Sequence, residues 1–593
     1  RTGVVQTLSG QSPMGLMAFQ RRIMMTLRKE SKDVRPRQVS PSQWGNVCVS
    51  ESPEGQPCGL VTALALYARV SIGVSTKDMT KALLTIFDTL IHTFDVPRPA
   101  AENETLIYVN GRIIGYTTDP HLLRRKILHA RRSRDICHET RCVWHENVPF
   151  MRKHFFVNTE CSVVMRPVFI VEHLHRVPDI LNTVGANAAL IDALMDAHCV
   201  EYIDIEEARA SKYVIAETFQ DVLLHPDIAY THVELDPTCI LGTMAGIVPF
   251  AHMDQAPRIT YETSMYRQAI SLRAFDMYSC ADVNFFTITN LQKSLVRTKI
   301  QDFYNKVFGG INSGQILIVA VMNSRDNIED SVIFNRAALE RGCSKIFVYK
   351  QYYTDIRKSE SEILTRPPPN CMLLHHANYQ TVGANGLPKV GQKVKPGDCL
   401  IGKIARCEII SPETGMQTEA YIDRSFVLSE KDPCGIVDSV VCRESSENSI
   451  RVRIRIRRCE NNGIGNKMAS RHAQKGVVGA VYDQIDMPFI SSGPMAGTCP
   501  DLIMSSCAFP SRMTIGQLAE GLHSKVALCE GKVHDATAFE PPMLEETKRV
   551  LASYGFHPSG KETMRNGRTG RELDCMIFCT PIEMNRLHHI ASI

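Results

Sequence analysis

Residues 451–458 read R-V-R-I-R-I-R-R, a strict alternation of cationic and β-branched side chains. A period of two indicates a β-strand, because successive side chains point to opposite faces. The strand would bury Val452, Ile454 and Ile456 and turn the arginines toward anions. Residues 451–475 contain eight basic residues and one acid, a local formal charge of +7, which suits neutralisation of phosphates. A solvated edge strand, whose charges oppose aggregation, explains the alternation equally well.

The chain has 593 residues, too many for one hydrophobic core, which predicts several domains. Its formal net charge of +4 does not by itself indicate a nucleic-acid partner. The longest apolar runs, such as residues 316–322, are too short to cross a bilayer, so no membrane partner is expected. The 20 cysteines include no C-x-x-C pair, which favours reduced thiols over a disulfide framework. Because Arg1 opens the chain without an initiator Met, we expect a piece of a longer polypeptide.

Residues 465–476 read G-N-K-M-A-S-R-H-A-Q-K-G, with three cations and a histidine among small residues. Small residues let a ligand such as a phosphate approach the backbone closely. This segment resembles G-D-K-x-A-S-R-H-G-Q-K-G of the second-largest (beta-type) subunit of multisubunit DNA-directed RNA polymerases. The resemblance implies that Lys467 and Lys475 contact the RNA 3′ end and the incoming nucleotide. Asn466 and Ala473 depart from the family pattern, which has Asp and Gly there.

Other segments resemble the same family in the same order along the chain. Residues 44–60 are similar to W-G-x-x-C-x-x-E-T-P-E-G-Q-x-C-G-L, with Ser52 replacing the threonine. Gln56 and Cys58 favour the eukaryotic, archaeal or large-DNA-virus type over the bacterial one. Further matching segments are residues 109–112, 166–171, 201–204, 231–235 and 555–570. The resemblance therefore covers essentially the whole chain.

The resemblance implies a set of site residues. The candidates at the reacting nucleotide are Lys467, Lys475, Arg258 and Arg512. The candidates for contact with nucleic acid are Gln255, Gln268, Arg267, Arg471, His472, Arg568 and Arg571, where Arg267 stands in place of a family lysine. Glu329 and Asp330 match N-x-E-D-S, which implies ligands of a second, nucleotide-borne Mg²⁺. Without the family, these two acids beside an Asn and a Ser would be interpreted as a turn.

The mechanism that the resemblance implies is two-metal phosphoryl transfer. The sequence contains no D-x-D-x-D cluster, so the largest subunit must supply the carboxylates for the tight Mg²⁺, and this chain is not active alone. The expected partners are the largest and other polymerase subunits, template DNA, nascent RNA and NTPs. No zinc is expected, because the spacing of Cys137, His138, Cys142 and His145 fits no standard finger.

The fold class implied is an α+β multidomain chain. A hybrid-binding domain containing a double-psi β-barrel would comprise residues 236–350 and 456–593, with a β-rich wall or flap module (351–455) inserted. A fork region (1–75) and mixed α/β external domains (76–235) would come first, and the family's N-terminal lobe and protrusion and C-terminal clamp would be missing. From the residues alone, a buried strand is predicted at Gln315–Met322. A helix capped by Ser511 is also predicted, with an apolar stripe of Ile515, Leu518, Leu522 and Val526.

Two other functions are consistent with parts of this sequence. A non-catalytic nucleic-acid-binding protein would be favoured by loss of the lysines or of Glu329 and Asp330, and none is lost. A one-chain polymerase with its own barrel pair is opposed by the missing Asp triad. We expect an intracellular protein, located in the nucleus, or in the cytoplasm or virion if the lineage is viral.

Overall fold

The computed structural model describes residues 5–6, 8, 10–93, 101, 103–145, 148–149, 151, 153–185, 189–273, 283–372, 376–410, 417–446, 449–541 and 543–591. They form mixed α/β units with several hydrophobic cores, as the chain length predicts. Among these residues, no helix is both long enough and apolar enough to span a bilayer.

Residues 10–235 form short N-terminal elements and two sheets covered by helices. The helices are α1 (Pro13–Gln20), α2 (Thr76–Ile86), α3 (Pro120–Arg132), α4 (Val177–Val184), α5 (Leu190–Asp196), α6 (Ile205–Ala210) and α7 (Phe219–Leu224). The strands are β1 (Arg22–Met24), β2 (Val61–Ala63), β3 (Arg69–Val70), β4 (Thr105–Val109), β5 (Arg112–Thr117), β6 (Arg141–Trp144), β7 (His154–Asn158), β8 (Val164–Ile170), β9 (Val200–Ile203), β10 (Ile215–Ala216) and β11 (His232–Glu234). The sheets have the strand orders β5-β4-β7-β6 and β10-β11-β8-β3, with β9 also paired to β8. Buried Arg131 of α3 connects the parts of the chain that carry these two sheets, because it pairs with Glu201 and Glu207 at 2.6 and 2.8 Å.

The rest of the chain contains the longer strands. Up to residue 345 the elements are α8 (Ala256–Gln268), β12 (Asn284–Ile288), β13 (Val296–Arg297), α9 (Lys299–Phe308), β14 (Gly314–Val321), β15 (Ser331–Asn335) and α10 (Arg336–Glu340). They are followed by β16 (Ile346–Arg357), β17 (Glu362–Leu364), β18 (Lys393–Val394), β19 (Cys399–Ile401), β20 (Lys403–Ile410), β21 (Gln417–Asp423), β22 (Phe426–Val427), β23 (Gly435–Ser446) and β24 (Ser449–Glu460). The last elements are β25 (Lys467–Ser470), β26 (Lys475–Tyr482), β27 (Phe489–Ile490), β28 (Leu502–Met504), α11 (Ala508–Arg512), α12 (Ile515–Glu530), β29 (His534–Asp535), α13 (Leu544–Ser553), β30 (Lys561–Glu562), β31 (Met564–Arg565) and β32 (Ile577–Arg586). Short 3₁₀ helices lie at Arg35–Arg37, Pro41–Gln43, Val171–Arg176, Pro237–Ile240, Ala245–Ile247, Ala251–Met253, Lys358–Glu360, Tyr379–Thr381 and Gln484–Asp486.

Strands β14, β28, β15, β26, β25 and β32 form a closed ring, because β14 pairs with both β28 and β32. The pairs β14–β28 and β15–β26 are parallel, and the other pairs in the ring are antiparallel. Apolar side chains of all six strands pack together in one core. The strand predicted at Gln315–Met322 is confirmed as β14, and it forms one wall of this barrel.

The alternating arginine segment is confirmed as strand β24, with Val452, Ile454 and Ile456 buried. The edge-strand interpretation is wrong, because β24 lies between β16 and β23 and is paired on both sides. Some of the arginines bind carboxylates of neighbouring strands: Arg451 binds Asp355 of β16 through two hydrogen bonds of 2.7 and 2.9 Å. The predicted domain boundaries at 350/351 and 455/456 fall within the paired strands β16 and β24.

The helix predicted after Ser511 exists as α12, but its predicted N-cap is wrong. The N-cap is Thr514, because Ser511 belongs to the separate helix α11 and Met513, with a left-handed φ of 52°, separates the two helices. Of the predicted apolar stripe, Val526 is buried and Leu518 packs against the barrel core, whereas Ile515 is 45% exposed. Glu520 and Lys525 are also buried, because each has an ion-pair partner inside the protein.

Candidate functional site

The β25–β26 hairpin brings the two predicted lysines together. Lys467 lies opposite Val477 and Ala469 lies opposite Lys475 in the antiparallel register. Because side chains alternate along a strand, these four residues share one face. Lys467 and Lys475 are thus diagonal neighbours, a relationship in which the residues stand roughly 7–8 Å apart. The hairpin therefore places two lysines on one face.

Helix α8 packs on the same face of the hairpin. Met265 and Ala269 from the end of this helix form a buried cluster with Ala469, Ala473 and Leu587. The first turn of α8 carries Arg258, and Gln255 stands exposed just before the helix. Apolar packing of small side chains thus fixes the cation-bearing helix close to the lysine hairpin.

Gln268 and Arg267, at the C-terminal end of α8, lie in different surroundings. The side chain of Gln268 contacts Nε2 of His589 at 3.1 Å, and the His589 carbonyl accepts the N–H of Lys467 at 3.3 Å. Gln268 therefore lies beside Lys467. Arg267 instead forms an ion pair with buried Glu51, within the segment 51–60. Burial raises the pKa of the Glu51 carboxyl, although Arg267 opposes this effect.

Arg512, at the end of α11, contacts both the β25–β26 hairpin and Asp330. Its Nη1 donates to Oε1 of Gln474 at 2.8 Å, and its Nη2 forms an ion pair with Asp330. Gln474 directly precedes Lys475 in sequence. Desolvation, followed by the nearby charge of Arg512, lowers the pKa of Arg258, and the charge of Asp330 opposes this effect. Arg258, Arg512 and Asp330 therefore lie near one another, and Lys475 follows Gln474 in the adjoining hairpin.

The turn that carries Glu329 and Asp330 has an unusual backbone. Both residues have left-handed φ angles, 51° and 70°, which cost non-glycine residues free energy. Buried Asn327 holds the turn, accepting from the N–H of Ser324 at 2.7 Å. The Asp330 carbonyl accepts the N–H of Val477 at 3.1 Å, so the acidic turn is attached to β26.

Gly476 is required for this approach of the acidic turn to the hairpin. A Cβ at Gly476 would lie 2.7 Å from the Asp330 carbonyl oxygen and 2.8 Å from Val332. No side chain fits at that distance. Only glycine at position 476 therefore lets the backbone beside Lys475 contact the turn at Asp330.

Glu329 and Asp330 would suit a metal ion that takes most of its ligands from water and substrate. Glu329 is exposed, and one carboxylate oxygen of Asp330 is engaged by Arg512. In the described residues, no three or more His, Cys, Asp or Glu side chains are grouped to hold a metal. Mg²⁺ commonly keeps several waters and takes one or two carboxylates together with substrate phosphates. Two adjacent carboxylates match that partial role.

Arg471 and His472, predicted to contact nucleic acid, lie inside the protein, 2% and 0% exposed. Arg471 pairs with Glu520 at 2.7 Å and with Glu583 at 3.4 Å. The two nitrogens of His472 contact Asp254 at 2.6 Å and Glu520 at 2.7 Å. These side chains support the hairpin turn from within and are not presented at its surface.

Arg568 and Arg571 lie apart from the converging cations. The Arg568 guanidinium stacks 5.0 Å over the ring of Tyr482, at the far end of β26. Tyr482 lies seven positions after Lys475 on β26, a distance of roughly 23 Å along an extended strand. Arg571 is exposed on the same loop.

Sequence reasoning missed two residues that organise the site. Gln474 holds Arg512, and it could have been found because it stands inside the matched segment 465–476. Asp254 binds His472 and the backbone of Gly516, and no motif signalled it. The site as a whole brings cations and carboxylates together, the kinds of groups that a magnesium-bound polyphosphate would need.

Comparison with known proteins identifies the family to which this chain belongs. Residues 244–592 match the family model "RNA polymerase Rpb2, domain 6", residues 6–70 match Rpb2 domain 3, and residues 107–172 match Rpb2 domain 4. The chain belongs to the Rpb2 family, the second-largest subunits of DNA-directed RNA polymerases.

The similarity to individual relatives extends over the whole chain. The chain is 33% identical over 612 residues to DNA-directed RNA polymerase II subunit 2 of Arabidopsis thaliana, and the match covers 100% of this chain and 50% of the relative. It is 32% identical to subunit Rpo2 of Saccharolobus solfataricus (100% and 53% covered) and 28% identical to RNA polymerase III subunit RPC2 of Drosophila melanogaster (100% and 51%). The chain thus spans about half the length of the curated relatives it matches.

Proposed function

We propose that this chain binds the triphosphate of the incoming NTP and the RNA 3′ end within a DNA-directed RNA polymerase. The observation that carries the proposal is the pairing of Arg512 with Asp330 and Gln474, with Arg258 nearby and Lys475 next to Gln474 in the hairpin. Cations at such a site neutralise charge that accumulates on the phosphates during nucleotidyl transfer. Lys467, beside Gln268, is suited to the RNA 3′ end.

Without a ligand, Arg512 and Asp330 form an ion pair with each other. A triphosphate offers Arg512 a stronger bidentate acceptor. Asp330 and Glu329 would then be available to the nucleotide-borne Mg²⁺, which supplies charge neutralisation when bound. The half-exposed position of the pair, 18% for Arg512 and 38% for Asp330, leaves it accessible to a nucleotide.

We infer that the closed six-stranded ring is one double-psi β-barrel of a hybrid-binding domain, with the module around β16–β24 as its wall. The parallel pairs β14–β28 and β15–β26 within an otherwise antiparallel ring support this assignment. Gln255 and Gln268 would then lie near the transcript, while Arg568 and Arg571 would contact the hybrid backbone. Arg267, Arg471 and His472 would act from the interior through Glu51, Glu520 and Asp254.

The proposed active centre is completed by another chain inside the cell. Because the sequence contains no D-x-D-x-D cluster, the largest subunit would bring the tight Mg²⁺. Template DNA, nascent RNA and the other polymerase subunits would be the remaining partners.

Reconstitution tests this function. We expect the full-length protein to co-purify with a largest subunit bearing an Asp triad, and the complex to extend an RNA primer on a DNA template with Mg²⁺ and NTPs. Alanine in place of an Asp of the triad should abolish extension while leaving assembly intact. A complex that binds the RNA–DNA scaffold without extending it would support the non-catalytic binding protein instead. Extension by this protein without a largest subunit would favour the one-chain polymerase.

A further inference from the structure

We infer that Asp254 is a positioning residue that fixes the three cation-bearing segments of the site relative to one another. The inference rests on the proposed function. Asp254 lies four residues before Arg258. Its Oδ2 contacts Nδ1 of His472 at 2.6 Å, three residues before Lys475, and its Oδ1 accepts the N–H of Gly516 at 2.8 Å, four residues after Arg512. One carboxylate therefore joins all three segments.

The geometry requires a charged imidazole at this junction. His472 is fully buried, and its Nε2 contacts Glu520 at 2.7 Å while its Nδ1 contacts Asp254. Ionised carboxylates only accept hydrogen bonds, so both ring nitrogens carry a proton and the ring is an imidazolium. The side chains of Asp254 and Glu520 are 0% and 1% exposed, so water does not screen this pair.

The fit around Asp254 leaves no room for adjustment. A Cβ at Gly516 would stand 2.9 Å from Oδ1 of Asp254. The backbones of Asp254 and Thr514 are also bridged, and Gln474 donates to Thr514 Oγ1 at 2.6 Å while accepting from Arg512. A shift of the Asp254 carboxylate is thus transmitted directly to Arg512 and Lys475.

The ionisation of His472 gives this junction a pH dependence. The groups that face His472 are Asp254 and Glu520, with Arg471, Glu583 and Glu262 around them. Against the cost of burial, Asp254 and Glu520 raise the pKa of His472 to about 9. The stability that the His472 imidazolium contributes to the folded protein is therefore fully present below the ordinary histidine pKa near 6.5. It is lost as pH rises through about 9.

The test is Asp254→Asn in the complete polymerase, because the amide keeps the shape and the acceptor for Gly516 but removes the charge. We expect kcat/KM for single-nucleotide addition to fall about 100-fold, the cost of misplacing groups by about 1 Å. The alkaline limb of its pH profile should move to lower pH, because the imidazolium has lost one partner. Affinity for the RNA–DNA scaffold should not change. Asp196→Asn, on an exposed carboxylate of α5, serves as the matched control and should behave as wild type.

The outcomes separate this inference from the proposed function. If the Asp254→Asn polymerase keeps the wild-type kcat/KM and pH profile while Lys475→Ala loses activity, the positioning role is overturned and the proposed function stands. If Lys475→Ala also retains full activity, the proposed function itself fails. If Asp254→Asn does not assemble, Gly516→Ala decides. It displaces the carboxylate without removing its charge and should lower kcat/KM at unchanged scaffold affinity, whereas a wild-type kcat/KM overturns the inference.

Discussion

Arg512→Ala in the assembled polymerase is expected to lower kcat/KM for NTP incorporation by about 100-fold or more, the range seen when one charge-stabilising donor is removed from an active site. The Arg512 guanidinium is pre-positioned by Gln474 at 2.8 Å, so it presents a fixed fork to the triphosphate. Arg512→Lys keeps the charge without the fork and should give an intermediate loss. Single-nucleotide addition on a preassembled RNA–DNA scaffold, at several NTP concentrations, measures both variants.

Arg549→Ala provides the matched control for Arg512→Ala. Arg549 is exposed on α13, outside the converging cations, and its removal should leave kcat/KM unchanged. Equal losses in both variants, or no loss in either, would contradict a specific role of Arg512 at the triphosphate.

The second large effect is on stability. Arg471→Met should lower the local free energy of unfolding by about 3–5 kcal/mol, because it leaves the buried carboxylate of Glu583 without its cation and Glu520 with His472 alone. Both carboxylates lie within 3.4 Å of Arg471. Amide hydrogen exchange of β25 and β26 measures this loss region by region, which suits a multidomain chain that does not unfold in two states.

Arg341→Met is the control for Arg471→Met. Arg341 is 60% exposed and pairs with Asp501 at 3.0 Å on the surface, an arrangement worth about 0–1 kcal/mol. If amide protection of β25 and β26 in Arg471→Met remained at the wild-type level, the buried network would not be what supports the hairpin.

Local periodicity predicted what depends on local geometry and failed where distant partners decide. The alternation of 451–458 located β24 and its buried face, because a period of two follows from the strand itself. The alternation did not predict the ion pair between Arg451 and Asp355, since this pair depends on which strand lies next to β24. The burial of Glu520 on α12 could not be predicted for the same reason: the partner that makes this burial favourable lies 49 residues away in sequence.

The candidate site could be predicted only through the family resemblance. Arg258, Asp330, Lys475 and Arg512 are spread over more than 250 residues, and no spacing rule joins them. The resemblance also misled at Arg471 and His472, where sequence alone does not distinguish an exposed cation from a buried one. Asp254 escaped notice because its role depends on tertiary contacts alone.

The departure at Ala473 has a physical account. Its φ of 55° is left-handed, where an alanine costs about 1–2 kcal/mol and the family's glycine costs little. The methyl group is fully buried against Met265, Ala269 and Ala469, and this packing offsets part of the cost.

The central claim is that Lys475 and Arg512 act on one triphosphate. A double-mutant cycle of Lys475→Ala and Arg512→Ala, measured as kcat/KM for NTP in the assembled polymerase, tests it most directly. We predict a coupling free energy of about 1 kcal/mol or more between them. A parallel cycle of Lys475→Ala with Arg568→Ala, across roughly 23 Å of strand, should be additive. Additive losses for Lys475 and Arg512 would contradict a shared site.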